Sequence, residues 1–549
     1  MKKNSFVEGT VIATLSVFLI KILGLLYVIP FYAIIGSQGG ALYGYAYNIY
    51  AIFLSVSVTG VPIAISKIIS EYNTLGYNEA KVRAFKLGRR IVSCLSIISF
   101  LLLITFAPTI AKIIIGNLKG GNTIEDVAAV IRIISFSILV VPLLSITRGY
   151  LQGHKYITPS SKSQIIEQLV RIFVIIFGSY LSYKVFHQSL RFTVSIAVTG
   201  AFFGAIAGVL YLLYKMYSNR IKLGFVKDAP RDNVTNKEII RKLLRYTVPY
   251  IILGLGAQIY TFVDMILMLR TLGTLGYSAV EVEFITSAIT TWGMKINMII
   301  NSLAIGLTTS LIPNIVQSFV SKNWQDVNEK INKTFEMTLL IGLPLAFGIS
   351  CLAMPVWTVF YGPSLMGGNI LSYSIFTALF STLYLIIISI LQGLNKFKIS
   401  YLSEFGGLIA ILVLDIPLMI FFHKINLPAY YGSIGATIIG YSIAIISSLI
   451  ALKKHHFISY QKASQKLLKI MVPLGAMVIF LIIMNKFIPY DQTSKSSSLI
   501  TIIIKSVIAG TLYLIIAFKM KLFQEIFGRT SINKIVRKLS FNLINLEDK

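Results

Sequence analysis

GTVIATLSVFLIKILGLLYVIPFYAIIG, residues 9–36, runs for 28 residues with one charge, Lys21. A helix of about 20 apolar residues crosses the hydrocarbon core of a bilayer, so this run predicts a transmembrane helix. It is longer than the core of a cleavable signal, and no small-residue cleavage site closes it. The helix is therefore expected to stay.

Working outward, apolar runs of similar length recur as far as Phe518. The whole chain of 549 residues is 56% hydrophobic and 13% charged, with mean hydropathy +0.78. A soluble domain is typically about 25% charged, and no water-soluble fold hides this much apolar surface. The pattern predicts an all-α integral membrane protein of about fourteen transmembrane helices, at 9–36, 42–66, 87–113, 127–147, 163–186, 193–216, 246–269, 284–312, 334–360, 370–391, 401–422, 430–452, 467–487 and 499–519.

The net charge of +29 would point to nucleic acid in a soluble protein. Here Lys and Arg gather in short loops between apolar runs, as the positive-inside rule expects, so no nucleic-acid partner is predicted. Loops after even-numbered spans are basic: Lys81, Arg83, Lys86, Arg89 and Arg90 follow the second, and Arg220, Lys237, Arg241, Lys242 and Arg245 follow the sixth. Residues 36–41 and 361–369, after odd-numbered spans, hold no Lys or Arg. The alternation keeps its phase, which places both termini in the cytoplasm and the chain in the cell membrane as a multi-pass protein. Cys94 and Cys351 lie in apolar runs and predict neither a disulfide framework nor a zinc site.

An internal repeat organises the spans. Ile65-Ser66-Lys67 pairs with Ile312-Pro313-Asn314, Pro108 and Gly116 pair with Pro355 and Gly362, and Leu151-Gln152-Gly153 pairs with Leu391-Gln392-Gly393. Six spans separate the copies, an even number, so the repeat is parallel. The expected organisation is an N-lobe over 1–220, a basic cytoplasmic linker over 221–245, a C-lobe over 246–455, spans thirteen and fourteen within 456–520, and a cytoplasmic tail over 521–549. Two pseudo-symmetric six-helix lobes would then face a central cavity, with two extra C-terminal helices.

Charges inside the membrane mark substrate paths, because each costs about 2.5–3.5 kcal/mol on insertion scales. Lys21 lies roughly 18–22 Å from either end of its helix, beyond the reach of a snorkelling side chain. Lys295 poses the same problem in the eighth span. Both are candidate substrate-binding cations, with Arg270 at the rim of an outer vestibule. Asp264 is the candidate partner of Lys295, or a coupling residue; Asp415 is a weaker one. Glu167 and Arg171, spaced i,i+4, are expected to pair on one helix face. Lysines at depth suit an anion such as a diphosphate, whereas a cation exporter needs intramembrane carboxylates. No Walker A run, GxSxG or HExxH occurs, so no enzyme is predicted. No cofactor is expected either, and coupling is left to membrane potential, Na+ or H+.

Four stretches together resemble the multidrug/oligosaccharidyl-lipid/polysaccharide exporter superfamily. They are Lys21-Ile22-Leu23-Gly24 with Gly36, the run from Gly60 to Lys67, the run from Arg148 to Gly153, and Glu167-Gln168-Leu169-Val170-Arg171. Within it the chain is most similar to the Gram-positive polysaccharide-transport branch that holds the MurJ-type lipid II flippase YtgP and the sporulation protein SpoVB. The resemblance implies a fourteen-helix fold with a V-shaped cavity opening alternately to each side. It implies transfer of undecaprenyl-diphosphate-linked peptidoglycan precursor to the outer leaflet. It also implies cavity roles for Lys21 and Lys295. The chain departs at Tyr27, where MurJ proteins often carry a second cation, and near Leu42, where they carry an acidic gate residue.

The expected partners are a lipid-linked diphosphate glycan, the bilayer, and cell-wall synthesis or division proteins. The alternatives are a flippase for another lipid-linked oligosaccharide, including a sporulation-specific one, a multidrug/sodium antiporter, and a non-transporting scaffold of the division machinery.

Overall fold

The computed structural model describes residues 3–528, apart from Ser5, Thr59, Asn117, Lys119, Lys222, 226–231 and 457–458. The expected cytoplasmic tail therefore lies outside the described residues from 529 onward, as do Met1, Lys227 and Arg231 of the predicted cytoplasmic segments.

Among the described residues the regular structure is entirely helical. The α-helices are α1 Phe6–Leu26, α2 Val28–Val58, α3 Val61–Thr74, α4 Asn78–Ile115, α5 Ile124–Gly153, α6 Ile157–Phe173, α7 Leu190–Tyr217, α8 Asn236–Thr274 and α9 Ala279–Ser287. They continue as α10 Gly293–Val320, α11 Trp324–Cys351, α12 Ala353–Tyr361, α13 Leu365–Gly393, α14 Phe397–Lys424, α15 Tyr430–His456, α16 Gln461–Phe487, α17 Lys495–Lys519 and α18 Leu522–Phe527. Three π-helical segments interrupt the series, at Val174–Gly178, Leu181–Val185 and Ala288–Trp292.

Twelve of the described helical runs are long and apolar enough to cross a membrane, and α1 adds the shorter apolar run Ile12–Leu26. Large apolar side chains such as Leu101, Leu210, Ile446 and Ile479 stand exposed along them, the surface a bilayer covers. The chain is a multi-pass membrane protein. The expected first and second spans fall on α1 and α2, and the break between them is at Gly36, with φ 65° and ψ −168°. That region is open essentially to glycine alone. The expected eighth span falls on α9, the π segment after it, and α10.

Turns that repeat in the sequence repeat in the backbone. After α5, Lys155 has φ 65°, and Tyr156 N–H donates to the Leu151 carbonyl at 2.9 Å. After α13, Asn395 has φ 56°, and Lys396 N–H donates to the Leu391 carbonyl at 2.7 Å. Gly116 and Gly362 close α4 and α12 with φ of 58° and 91°.

Packing divides the chain into two compact units. The first holds Met1–Lys295 and Ile411–Ser433, so its boundary falls just after Lys295 inside α10. In it α5 packs against α2, α3, α4 and α7, around a core that includes Ile65, Ile68, Phe85, Leu144 and Tyr150. A Cβ on Gly149 would sit 2.5 Å from the Pro62 carbonyl oxygen, so α5 and α3 touch there only because glycine stands at the crossing.

The second unit holds Ile296–Ala410 and Ile434–Lys549. In it α11 packs on α13 and α16, and α12 on α17. An apolar cavity of about 360 Å³ opens among Leu340, Pro344, Gly348, Leu481 and Tyr513. Lys505 is buried on α17 and donates to the Asn485 Oδ1 at 3.0 Å and the Ile488 carbonyl at 3.1 Å. There it meets the negative end of the α16 dipole.

Candidate functional site

The first unit brings three cations and a row of tyrosines together. Glu167 and Arg171 lie on α6. Arg171 stands fourteen residues from each end of the 29-residue helical run Ile157–Val185, roughly 21 Å from either end at 1.5 Å per residue. Two glycines on α7 let α6 approach. A Cβ on Gly204 would sit 2.6 Å from the Glu167 carbonyl oxygen, and one on Gly200 would sit 2.8 Å from that of Arg171.

Glu167 accepts a hydrogen bond from Arg171 and forms an ion pair with Arg148. Arg171 Nη2 approaches Oε1 at 2.8 Å, and Arg148 Nη2 on α5 approaches Oε2 at 2.9 Å. Arg148 Nε donates to Ser163 Oγ at 2.7 Å. The three charged side chains are only 13–20% exposed. Two cations on one carboxylate leave one positive charge in surplus.

Lys295 adds a second. Its ammonium lies 6.0 Å from the Tyr27 ring centre and 5.6 Å from that of Tyr47, within the range of cation–π attraction. Arg171 is close enough to interact electrostatically with Lys295, Tyr43, Tyr47 and Tyr50. Tyr43, Tyr47 and Tyr50 recur at i, i+4 and i+7 on α2, which places them on one face. Ring centres are 5.5 Å apart for Tyr43 and Tyr47, and 5.6 Å for Tyr47 and Tyr50. Trp292, in the π segment before Lys295, stacks 6.0 Å from Tyr43. Gly40 and Gly44 on α2 admit that segment, since a Cβ would meet Trp292 Nε1 at 2.7 Å and Thr291 Oγ1 at 2.5 Å. A π segment follows Arg171 and another precedes Lys295. Such segments shift helical register and recur at functional sites.

Several buried donors here have no hydrogen-bond partner, among them the Tyr45 and Tyr50 hydroxyls, Arg148 Nη2 and Arg171 Nε. Both tyrosines are 1% exposed.

The other residues singled out by sequence also lie in the first unit. Lys21 is half-buried on α1, which packs on α6. One turn on, Gly24 faces Gln168 beside Glu167, a Cβ there standing 3.6 Å from its Nε2. Arg270 is exposed on α8, with Nη2 3.5 Å from the Ile113 carbonyl. It lines a cavity of about 610 Å³ with Ile115, Gly116, Thr274 and Tyr277. Asp264 is buried on α8 beside Met265, whose sulfur accepts from Asn48 Nδ2 at 3.4 Å. Asp415 is buried on α14. Among the described residues no group of three or more His, Cys, Asp or Glu side chains is placed to hold a metal.

Sequence reasoning missed three features. Arg148 was a motif residue only, and its ion pair joins α5 to α6. The tyrosine face was readable as a helical stripe. Glu283 on α9 is 2% exposed and accepts from Asn122 N–H at 2.8 Å and from Asn122 Nδ2 at 2.9 Å, while Asn122 Nδ2 also donates to the Gln38 carbonyl at 3.1 Å. That carboxylate ties the segment before α5 to α2 and α9; its sequence signal was the second of two acids, after Glu281, at the edge of an apolar run.

At the other end of the unit, Lys242 on α8 pairs with Glu71 on α3, and Lys67 lies 4.2 Å from the Tyr246 ring centre.

Comparison with known proteins agrees with this architecture. The family model described as polysaccharide biosynthesis protein matches residues 6–319. The lipid II flippase MurJ of Bacillus subtilis (strain 168) is 33% identical over 537 residues, covering 96% of this chain and 97% of the relative. A solved structure of lipid II flippase MurJ in an inward closed conformation superimposes with TM-score 0.64 at 17% identity, over 93% of this chain and 99% of that one. An inward-facing multidrug resistance MATE family transporter of the MOP superfamily gives TM-score 0.60 at 15% identity, over 79% and 96%. Relatives named for an activity are thus a flippase and transporters rather than enzymes. The chain belongs to the polysaccharide biosynthesis protein family, with the lipid II flippase MurJ among its full-length relatives and the fold of the MOP superfamily.

Proposed function

We propose that this protein is a flippase that moves a lipid-linked diphosphate glycan, lipid II, from the inner to the outer leaflet of the cytoplasmic membrane by alternating access. One observation carries the reading: a surplus of part-buried positive charge, Arg148 and Arg171 on one carboxylate and Lys295 on tyrosine faces, in a chain related over 96% of its length to a lipid II flippase. A diphosphate must cross roughly 30 Å of hydrocarbon, and its charge is costly there unless fixed cations replace the lost water.

Lys21 and Lys295 act as substrate-facing cations within the membrane, and Arg270 receives the headgroup at the outer vestibule. Binding offsets the repulsion among the cations and biases the equilibrium between open and closed states. Both termini and the basic segment 217–245 face the cytoplasm, where each Lys or Arg is worth about 1 kcal/mol against an anionic leaflet. Turnover is driven by membrane potential, Na+ or H+, and cell-wall synthesis proteins are the partners that consume the flipped precursor.

The test is depletion in a Gram-positive host, followed by an assay of lipid II in each leaflet. Inner-leaflet accumulation is expected; an unchanged distribution with arrested growth would reject the reading.

A further inference from the structure

We infer that the polar pocket beside the Lys242–Glu71 pair binds the saccharide of the lipid-linked substrate, through the Ser66 and Ser70 hydroxyls as donors and Thr74 and Gln152 as acceptors. The inference rests on the flippase reading above and gives the glycan, rather than the diphosphate, a site of its own.

The pocket has a volume of about 570 Å³, and its polar lining is Ser66, Lys67, Ser70, Glu71, Thr74 and Gln152. Small-ligand pockets usually fall at about 300–1,000 Å³. One helix supplies most of the lining. Ser66, Ser70 and Thr74 recur at i, i+4 and i+8 on α3, with Ile65, Ile68, Ile69 and Tyr72 of the same helix buried in the core. That spacing puts the three hydroxyls on one face. Glycines fix the walls. A Cβ on Gly153 would sit 2.7 Å from the Ser66 carbonyl oxygen, so the end of α5 lies against α3 and brings Gln152 beside it. A Cβ on Gly60 would sit 2.5 Å from the Thr247 carbonyl oxygen, which holds α8 against the start of α3.

Both charges of the lining are already engaged. Glu71 accepts from Lys242, and the Lys67 ammonium lies 4.2 Å from the Tyr246 ring centre. The uncharged groups divide into donors and acceptors. Thr74 Oγ1 donates to the Ser70 carbonyl at 3.0 Å and Gln152 Nε2 donates to Ser160 Oγ at 2.9 Å, so each keeps oxygen lone pairs as its remaining capacity. The Ser66 and Ser70 hydroxyls can donate. A sugar both donates and accepts hydrogen bonds and matches this mixed set. A diphosphate only accepts, and it pairs best with cations that are not already committed. On the topology proposed above this end of the unit is cytoplasmic, the side on which the substrate is loaded.

The experiment uses the purified full-length chain in detergent. It compares the affinity of undecaprenyl-diphosphate-N-acetylglucosamine with that of undecaprenyl diphosphate by thermophoresis, with thermal unfolding of the ligand-free protein alongside. The wild type should prefer the sugar-bearing lipid. The double variant Ser66→Ala, Ser70→Ala should keep its unfolding temperature, because both hydroxyls lie on the open face of α3. It should bind the sugar-bearing lipid about tenfold or more weakly, the effect of two hydrogen bonds, and undecaprenyl diphosphate as the wild type does. Ser70→Trp, which fills the pocket, should abolish the preference in the same way. A wild type that does not distinguish the two lipids would overturn the inference, and so would equal losses for both lipids or a wild-type preference in both variants. Lipid II transfer by the wild type in vesicles, measured in parallel, tells failure of this site from failure of the flippase reading. Transfer with no sugar preference rejects the site alone, and sugar preference with no transfer rejects the flippase reading.

Discussion

Lys295 lies 5.6 and 6.0 Å from two tyrosine ring centres, and a desolvated cation–π contact is worth about 2 kcal/mol. On the substrate reading, Lys295→Ala should insert and accumulate yet lose flipping, and Lys295→Arg should keep part of it because the charge survives while the geometry changes. If Asp264 were instead the structural partner, Lys295→Ala would lower the protein level and Asp264→Ala would restore it; immunoblots of the single and double variants decide. His154 makes a pH prediction. It is 1% exposed, packed between Tyr150 and Tyr156. Its pKa is pushed down to about 3 by burial, then by Lys81 and Lys3. The folded protein thus holds it neutral while an unfolded chain protonates it below about 6.5. Its stabilising effect is full above that pH and is lost as pH falls, by about 1.4 kcal/mol per unit. Thermal unfolding between pH 7 and 5 should show a slope that His154→Phe reduces. Lys21 and Lys295 stood out in the sequence as lone charges in apolar runs, but what each meets did not, because the neighbouring helices supply it. Arg148 was not, because its partner Glu167 comes from the next helix and only folding joins them.

At the scale of elements, glycine decides where helices break and where they touch. Gly36 has φ 65° and ψ −168°, and a Cβ there would meet nothing within 4 Å. The cost of Gly36→Ala is therefore backbone strain alone, about 1–3 kcal/mol, and should appear as a lower unfolding temperature. A wild-type unfolding temperature would show that the break moves freely. Glu283 makes the second prediction. Its carboxylate accepts both Asn122 donors, and hydrogen bonds to charged groups contribute about 1.5–3 kcal/mol. Glu283→Gln should raise deuterium exchange in peptides that cover Asn122 and leave those of α7 unchanged. Apolar length and loop charge made most helices legible, and Pro108 with Gly116 and Leu151-Gln152-Gly153 made the repeated turns so. The π segments at Val174–Gly178 and Ala288–Trp292 were not, since their apolar composition is that of an ordinary helix and only neighbouring elements set their extra residue. The break at Gly36, inside α2, was legible as the expected end of the first span, whereas the direct continuation of helix on its far side was not, because no local signal shows that a loop is missing.

For the whole molecule, topology and transport are separate claims with separate measurements. A cysteine at Asn233, in a variant with Cys94 and Cys351 replaced by serine, should resist an impermeant thiol reagent in intact cells and label after lysis; labelling of intact cells would reverse the assigned orientation. Multi-pass character followed from composition at once, because no other solvent tolerates so much apolar surface. The substrate did not follow, since glycan chemistry leaves little trace in a cluster of cations and aromatic rings. The most direct measurement is transfer of fluorescent lipid II across vesicles that contain the purified chain. Wild type should expose the substrate to an outer-face quencher, and the double variant Lys295→Ala, Arg171→Ala should not, at equal reconstitution. Equal transfer by the double variant, or none by the wild type, would contradict the account.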